Sequence, residues 1–226
     1  MAYFKFHKNT SNRPGAPREY DIATGTVIEK GEIVKLTAGL VVAIGDADQD
    51  DPYLGVAAES HDGATADGRQ TGLKIRVYDD PGDIFALVPS DTITATGGST
   101  TTFVDSSILP ATNDVFNGGS LKIVSCAASS ALNGKIVKIS DFTGSGGTIT
   151  LAETLTAALA SGDTAYLCPG TRCRGQYGWD LNSDGTDIDW ETSGGEALYF
   201  EGSDPDVFVT YWRLRLHLRG NDAAAK

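Results

Sequence analysis

The chain has 226 residues and a formal net charge of −12, with 30 acidic residues against 18 basic ones. That length can bury a core as one large or two modest domains, while so acidic a balance excludes the clustered positive surface that nucleic-acid phosphates require. No apolar run is long enough to cross a bilayer as a helix, and long amphipathic stretches are scarce. Twenty-seven glycines spaced between short apolar runs, with Thr and Ser frequent, predict an all-β chain of many short strands.

Residues 1–18, MAYFKFHKNTSNRPGAPR, carry four cations and no acids. Pro14 and Pro17 keep their surroundings out of helix, and Tyr3, Phe4 and Phe6 are too apolar for a purely solvated tail. Two readings follow. Residues 1–19 are an extended N-terminal arm that lies on a neighbouring subunit through Phe4, Phe6, Arg13 and Arg18, or they form a strand docked on the chain's own fold. The segment lacks the apolar core of a signal peptide, so the expectation is synthesis in a cytoplasm without export.

Residues 20–95 read as a first domain, a small antiparallel β-barrel or sandwich. Within 25–58, GTVIEKGEIVKLTAGLVVAIGDADQDDPYLGVAA, runs rich in β-branched residues alternate with turns at Lys30-Gly31 and Ala38-Gly39. Gly suits such turns because it reaches positive φ without steric cost. Leu73, Ile75 and Val77 then alternate with Lys74, Arg76 and Tyr78, the pattern of a strand with one wet face. The acids of Asp79-Asp80-Pro81-Gly82-Asp83 close a turn before residues 84–88 return as a strand.

The order of Val27, Lys30-Gly31-Glu32, Ile33-Val34-Lys35-Leu36, Gly39, Val41-Val42-Ala43, an acidic loop and Leu54-Gly55-Val56-Ala57 resembles the small β-domain of bacteriophage capsid decoration (head cement) proteins. The resemblance covers residues 20–89 and rests on strand and turn order, not on a catalytic signature. It implies a virion structural protein on the outer capsid surface, made in the host cytoplasm. It further implies binding to the major capsid protein at junctions between its subunits, and assembly as a homo-oligomer, a trimer by preference.

Residues 96–170 read as an inserted β-rich module behind the polar run at 94–102. Asp114-Val115-Phe116-Asn117-Gly118-Gly119 before Leu121-Lys122-Ile123, and residues 138–144 before Thr148-Ile149-Thr150, resemble a β-module that recurs in phage virion proteins. The run CAASSAL at 126–132 departs from it, standing where a Gly-containing turn is expected. Residues 152–160, AETLTAALA, are the best helix candidate, with Leu155 and Leu159 four apart, the competing reading of so short a segment being strand plus loop.

Residues 171–226 are expected to supply strands that pack back on the first domain. Residues 180–191 match a calcium-loop pattern at Asp180, Asn182, Asp184, Gly185 and Glu191, but their flanks cannot be EF-hand helices, and the competing reading is an acidic hairpin turning at Asn182-Ser183-Asp184-Gly185. In residues 207–219, period two places Phe208, Thr210, Trp212, Leu214, Leu216 and Leu218 on one face. Arg213, Arg215, His217 and Arg219 lie on the other, paired internally or facing an acidic partner. Cys126, Cys168 and Cys173 are too few for a disulfide framework and too scattered from His7, His61 and His217 for zinc. Cys168 and Cys173 are a bridged turn or two reduced thiols.

No nucleophile–base arrangement, phosphate-cradling loop or His-rich metal motif is readable, so the chain is expected to be a binding protein without catalytic residues, metal or cofactor. The alternative to decoration is a head fibre or adhesin that binds a host receptor or glycan, stacking sugar on Tyr177, Trp179 or Trp190.

Overall fold

The computed structural model describes residues 4–11, 15–44, 53–63, 73–108, 112–170, 180–181, 188–189 and 198–214. All of its regular structure there is β, apart from one 3₁₀ turn at Ser130–Leu132. In chain order the first strands are β1 (Lys5–Asn9), β2 (Arg18–Asp21), β3 (Val27–Ile28), β4 (Ile33–Thr37), β5 (Leu40–Ala43), β6 (Tyr53–Ala57), β7 (His61–Asp62), β8 (Lys74–Tyr78) and β9 (Asp83–Leu87). The middle of the chain contributes β10 (Thr92–Thr94), β11 (Gly97–Gly98), β12 (Thr102–Val104), β13 (Ser120–Ser125), β14 (Ile136–Thr143), β15 (Thr148–Leu151) and β16 (Thr164–Cys168). The last are β17 (Asp180–Leu181), β18 (Ile188–Asp189), β19 (Leu198–Asp204) and β20 (Val209–Leu214).

Among the described residues three sheets carry the architecture and none closes into a barrel, so of the two expected forms the sandwich-like one fits. A five-stranded sheet runs β2-β8-β6-β4-β5, a seven-stranded sheet β10-β16-β13-β14-β15-β12-β11, and a four-stranded sheet β1-β9-β20-β19. Every named pair is antiparallel. The seven-stranded sheet is built wholly from the middle of the chain, whereas β20 returns to pair with β9, across that insertion.

Local chemistry explains the strands. Ala38 and Gly39, at φ 51° and 81°, make the two-residue turn that the right-handed twist of β4 and β5 favours, with Thr37 opposite Leu40. Ile33 and Val34 are both buried, and so are Val56 and Ala57, because one member of each pair faces each of two apolar clusters. The centre of the five-stranded sheet is therefore covered on both faces, while β8 keeps Lys74 and Arg76 outward as its alternation predicts. In β14 the alternation slips where Ser140 and Asp141 are exposed in succession, at a bulge between Ile139 and Asp141.

The larger cluster passes through all three sheets, from Phe4 and Tyr53 through Phe85 and Leu87 to Phe103, Phe116 and Trp212. Phe116 meets Phe142 edge to face at 4.6 Å, and Phe200 meets Trp212 in the same manner at 5.1 Å. On β20 the period-two reading holds over 208–213: Phe208, Thr210 and Trp212 are buried, and Val209, Tyr211 and Arg213 are half-buried. Thr210 donates its hydroxyl to the Leu87 carbonyl at 2.9 Å and accepts the Trp212 indole N–H at 2.7 Å, so neither buried polar group is left unmatched.

The helix expected at 152–160 does not form. The Leu155 N–H bonds the Thr100 carbonyl at 2.7 Å and the Leu159 N–H bonds that of Ser99 at 3.0 Å, so the segment is a strap tied to the loop between β11 and β12. Leu155 and Leu159 are buried, and their spacing of four reflects two anchor points along an extended strap, not one face of a helix. Asp163, also buried, holds the strap's end: its Oδ2 accepts the Ala160 N–H at 2.9 Å and its Oδ1 that of Ala127 at 2.8 Å.

Candidate interaction face beside the first strand

Of the two readings of the N-terminal segment, the described residues show the docked strand. Cation-rich β1 pairs with β9, Lys5 opposite Ala86, Phe6 opposite Phe85 and Asn9 opposite Asp83, with a register shift between Phe6 and Lys8. β-propensity does not choose this partner; burial does. Phe4 is 2% exposed, inside the main cluster, and its N–H bonds the Gly31 carbonyl at 3.0 Å. At the strand's other end the Asn9 amide donates to Asp83 Oδ1 at 2.8 Å. Burial pushes the Asp83 carboxyl above the ordinary carboxylate range; the Asn9 bond opposes this, and the nearby charge of Asp80 adds to it.

The four residues expected to make contact are thus separated. Phe4 is buried in this chain's own core. Phe6 is half-buried, its ring stacked on Tyr78 at 5.0 Å and edge-on to Phe85 at 6.3 Å. Arg18 begins β2 and spends its charge within the chain on Asp79, 3.3 Å away, a carboxylate that also accepts the Tyr20 hydroxyl. Arg13 lies outside the described residues.

What the structure gathers instead is a pair of open grooves flanking β1. One, of about 480 Å³, is lined by Phe4, Lys5, Phe6, Lys30, Ala57 and Tyr78. Lys30 is brought there by a turn that the sequence encodes locally: Gly31 has φ 90°, and Glu32 Oε2 accepts the Glu29 N–H at 2.7 Å. The Gly31 N–H then bonds the Ala57 carbonyl at 2.8 Å, so Gly31 joins β1, the turn and β6. The second groove, of about 530 Å³, lies beside His7, Lys8, Asn9, Thr10, Ile84, Glu201 and Tyr211. There His7 packs against Tyr211 at 4.6 Å, and Glu201 is held by Arg213 at 2.8 Å.

Lys5 and Lys30 were not singled out by sequence reasoning. Lys5 sits in the cation-rich segment, but nothing in the order of residues connects it with Lys30, which arrives through the backbone bond between Phe4 and Gly31. The bond between Arg213 and Glu201 answers in part for the cationic face of the last strand; Arg215, His217 and Arg219 lie outside the described residues.

The remaining candidates are chemically quiet. Asp180 pairs with Asp189 and Leu181 with Ile188, so the ends of the acidic loop meet as a hairpin; residues 182–187 and 190–191 lie outside the described set. Among the described residues no three His, Cys, Asp or Glu side chains gather as a metal site, and no helix is long and apolar enough to cross a membrane. Cys126 and Cys168 are free and buried, and burial pushes the Cys168 thiol up to about 12, far from a reactive thiolate. Cys173, Tyr177, Trp179 and Trp190 lie outside the described residues. No protein-family model, curated protein or solved structure matches the chain.

Proposed function

We propose that this chain is a virion structural protein that decorates and stabilises the outer surface of a phage capsid, bound as an oligomer at junctions between major capsid subunits. The observation that carries the reading is an edge strand rich in cations with an open groove on either side, set on an all-β body. Adhesion to a protein shell needs such surfaces: free strand edges, apolar anchors and charges that steer approach. The strand and turn order of residues 20–89 supports the same reading. Exposed Leu36 and Leu40, at the tip of the β4–β5 hairpin, add apolar contact area at a second place.

The test is add-back to capsids lacking the chain, with copies counted against the major capsid protein by quantitative mass spectrometry. The expected result is saturation at a simple ratio of chain to shell subunit. Failure to co-sediment with shells at any concentration would overturn the reading.

A further inference from the structure

We infer that the groove between β1 and the turn at Gly31 receives an extended acidic segment of a partner protein, which pairs along the free edge of β1 and sets carboxylates against Lys5 and Lys30. The inference deepens the decoration reading and relies on it only for where the segment comes from.

Three observations converge. β1 is the outermost strand of its sheet and pairs as a strand with β9 alone among the described residues; the Gly31 carbonyl accepts the Phe4 N–H just before it, and an unpaired strand edge is a template for another strand. Beside that edge, the Phe6–Tyr78 stack and Ala57 form an apolar floor, in a volume within the range of binding pockets.

The third observation is charge. Arg18, Lys74, Arg76, Lys135, Lys138 and Arg213 each have a carboxylate of this chain within 4.0 Å. Lys5 and Lys30, both exposed, have none among the described residues, and neither does Lys8 in the groove on the other side of β1. Lys122 on β13 has none among the described residues either, but in a chain whose acids outnumber its bases 30 to 18 three such lysines gather at one edge strand. A strand laid along β1 alternates its side chains between two faces, so it offers apolar residues to the Phe6–Tyr78 floor and acids to the lysines at its rim.

The experiment measures binding of fluorescein-labelled peptides to the purified full chain by anisotropy. The probes are a short peptide of alternating Glu and Val, its counterpart with Lys for Glu, a backbone N-methylated form of the acidic peptide, and a single-stranded oligonucleotide. The acidic peptide should bind about tenfold or more tightly than its Lys counterpart, and weaken as salt rises. N-methylation should abolish most of this binding, because it removes the donors that pair with a strand edge. Lys5→Glu with Lys30→Glu should reverse the preference, Lys5→Gln with Lys30→Gln should weaken it, and Lys74→Glu with Lys135→Glu, an equal charge change elsewhere, should leave it intact.

The inference is overturned by equal binding of acidic and basic peptides, by indifference to the Lys5 and Lys30 changes, or by oligonucleotide binding as tight as that of the acidic peptide. Shell co-sedimentation separates it from the parent reading. Shells that bind the Lys5→Glu, Lys30→Glu chain undiminished leave decoration standing and remove the groove from it. Peptide binding without any shell association keeps the groove and removes decoration.

Discussion

The seven-stranded sheet and the four-stranded sheet solve the same problem in opposite ways. Residues 92–168 build the seven-stranded sheet from one continuous stretch, and its buried Phe103, Phe116, Phe142 and Ile149 come from that stretch alone. The four-stranded sheet is assembled from β1, β9 and the β19–β20 hairpin, three pieces far apart in sequence. In the continuous stretch Asp163 is bonded locally, to Ala127 and Ala160. The composite sheet leaves an edge strand, two grooves beside it, and Lys5 and Lys8 without a carboxylate among the described residues. The contrast is one of origin: the seven-stranded sheet draws its strands from one stretch, and the open edge and grooves lie where distant segments meet.

The two regions touch at the tip of the β19–β20 hairpin. The Ser120 hydroxyl donates to the Pro205 carbonyl at 3.0 Å, the Ser203 hydroxyl to that of Pro169 at 2.5 Å, and Lys138 pairs with Asp206 at 2.5 Å. The apolar cluster also runs through both regions, from Phe85 and Trp212 to Phe103 and Phe116. Losses inside the seven-stranded sheet should appear as stability, and changes at the exposed edge of β1 as binding.

The largest effect is expected from Phe142→Ala. It removes one ring of the Phe116 pair from a fully buried site and should cost about 3–5 kcal/mol in urea unfolding. Peptide binding at β1, measured where the variant remains folded, should be unchanged. A parallel loss of binding would break the division between the two regions.

A smaller loss is expected from Asp163→Ala, which leaves the Ala127 and Ala160 N–H groups without their acceptor. Two part-buried hydrogen bonds to a buried carboxylate correspond to about 2–4 kcal/mol. A loss below about 1 kcal/mol, within the range of an ordinary net hydrogen bond, would show that water replaces the carboxylate and that the continuous sheet is less sealed than its burial indicates.

The smallest effect sharpens the comparison at the seam. Because the folded-state carboxyl of Asp83 is raised, the native protein holds its proton more firmly than the unfolded chain. That contribution is fully present below the ordinary carboxylate pKa and is lost as pH rises through the raised value. Asp83→Asn keeps an oxygen for the Asn9 amide and removes the titration. Its urea midpoint should match that of the parent in acid and exceed it modestly at neutral pH. Parallel curves across that range would show that Asp83 is not strained by its burial.

The sequence by itself determined what depends on neighbours in the chain. The short strands, the Ala38-Gly39 turn, the wet and dry faces of β8 and the period-two face of 208–213 follow from side-chain alternation and from turn conformations, which a few consecutive residues settle. Tertiary structure decided what depends on pairing. Alternation tells which side of a strand is apolar and says nothing of which strand lies beside it, so residues 4–9 read equally as an arm or as a docked strand until Asn9 is found bonded to Asp83, 74 residues away. The same holds for Leu155 and Leu159, whose spacing suits a helix until their N–H groups are found on Ser99 and Thr100. The lysine groove has the same origin. Lys5 and Lys30 share a surface only because a backbone bond from Phe4 to Gly31 brings two segments together, and no local pattern records a contact made by the backbone across the fold.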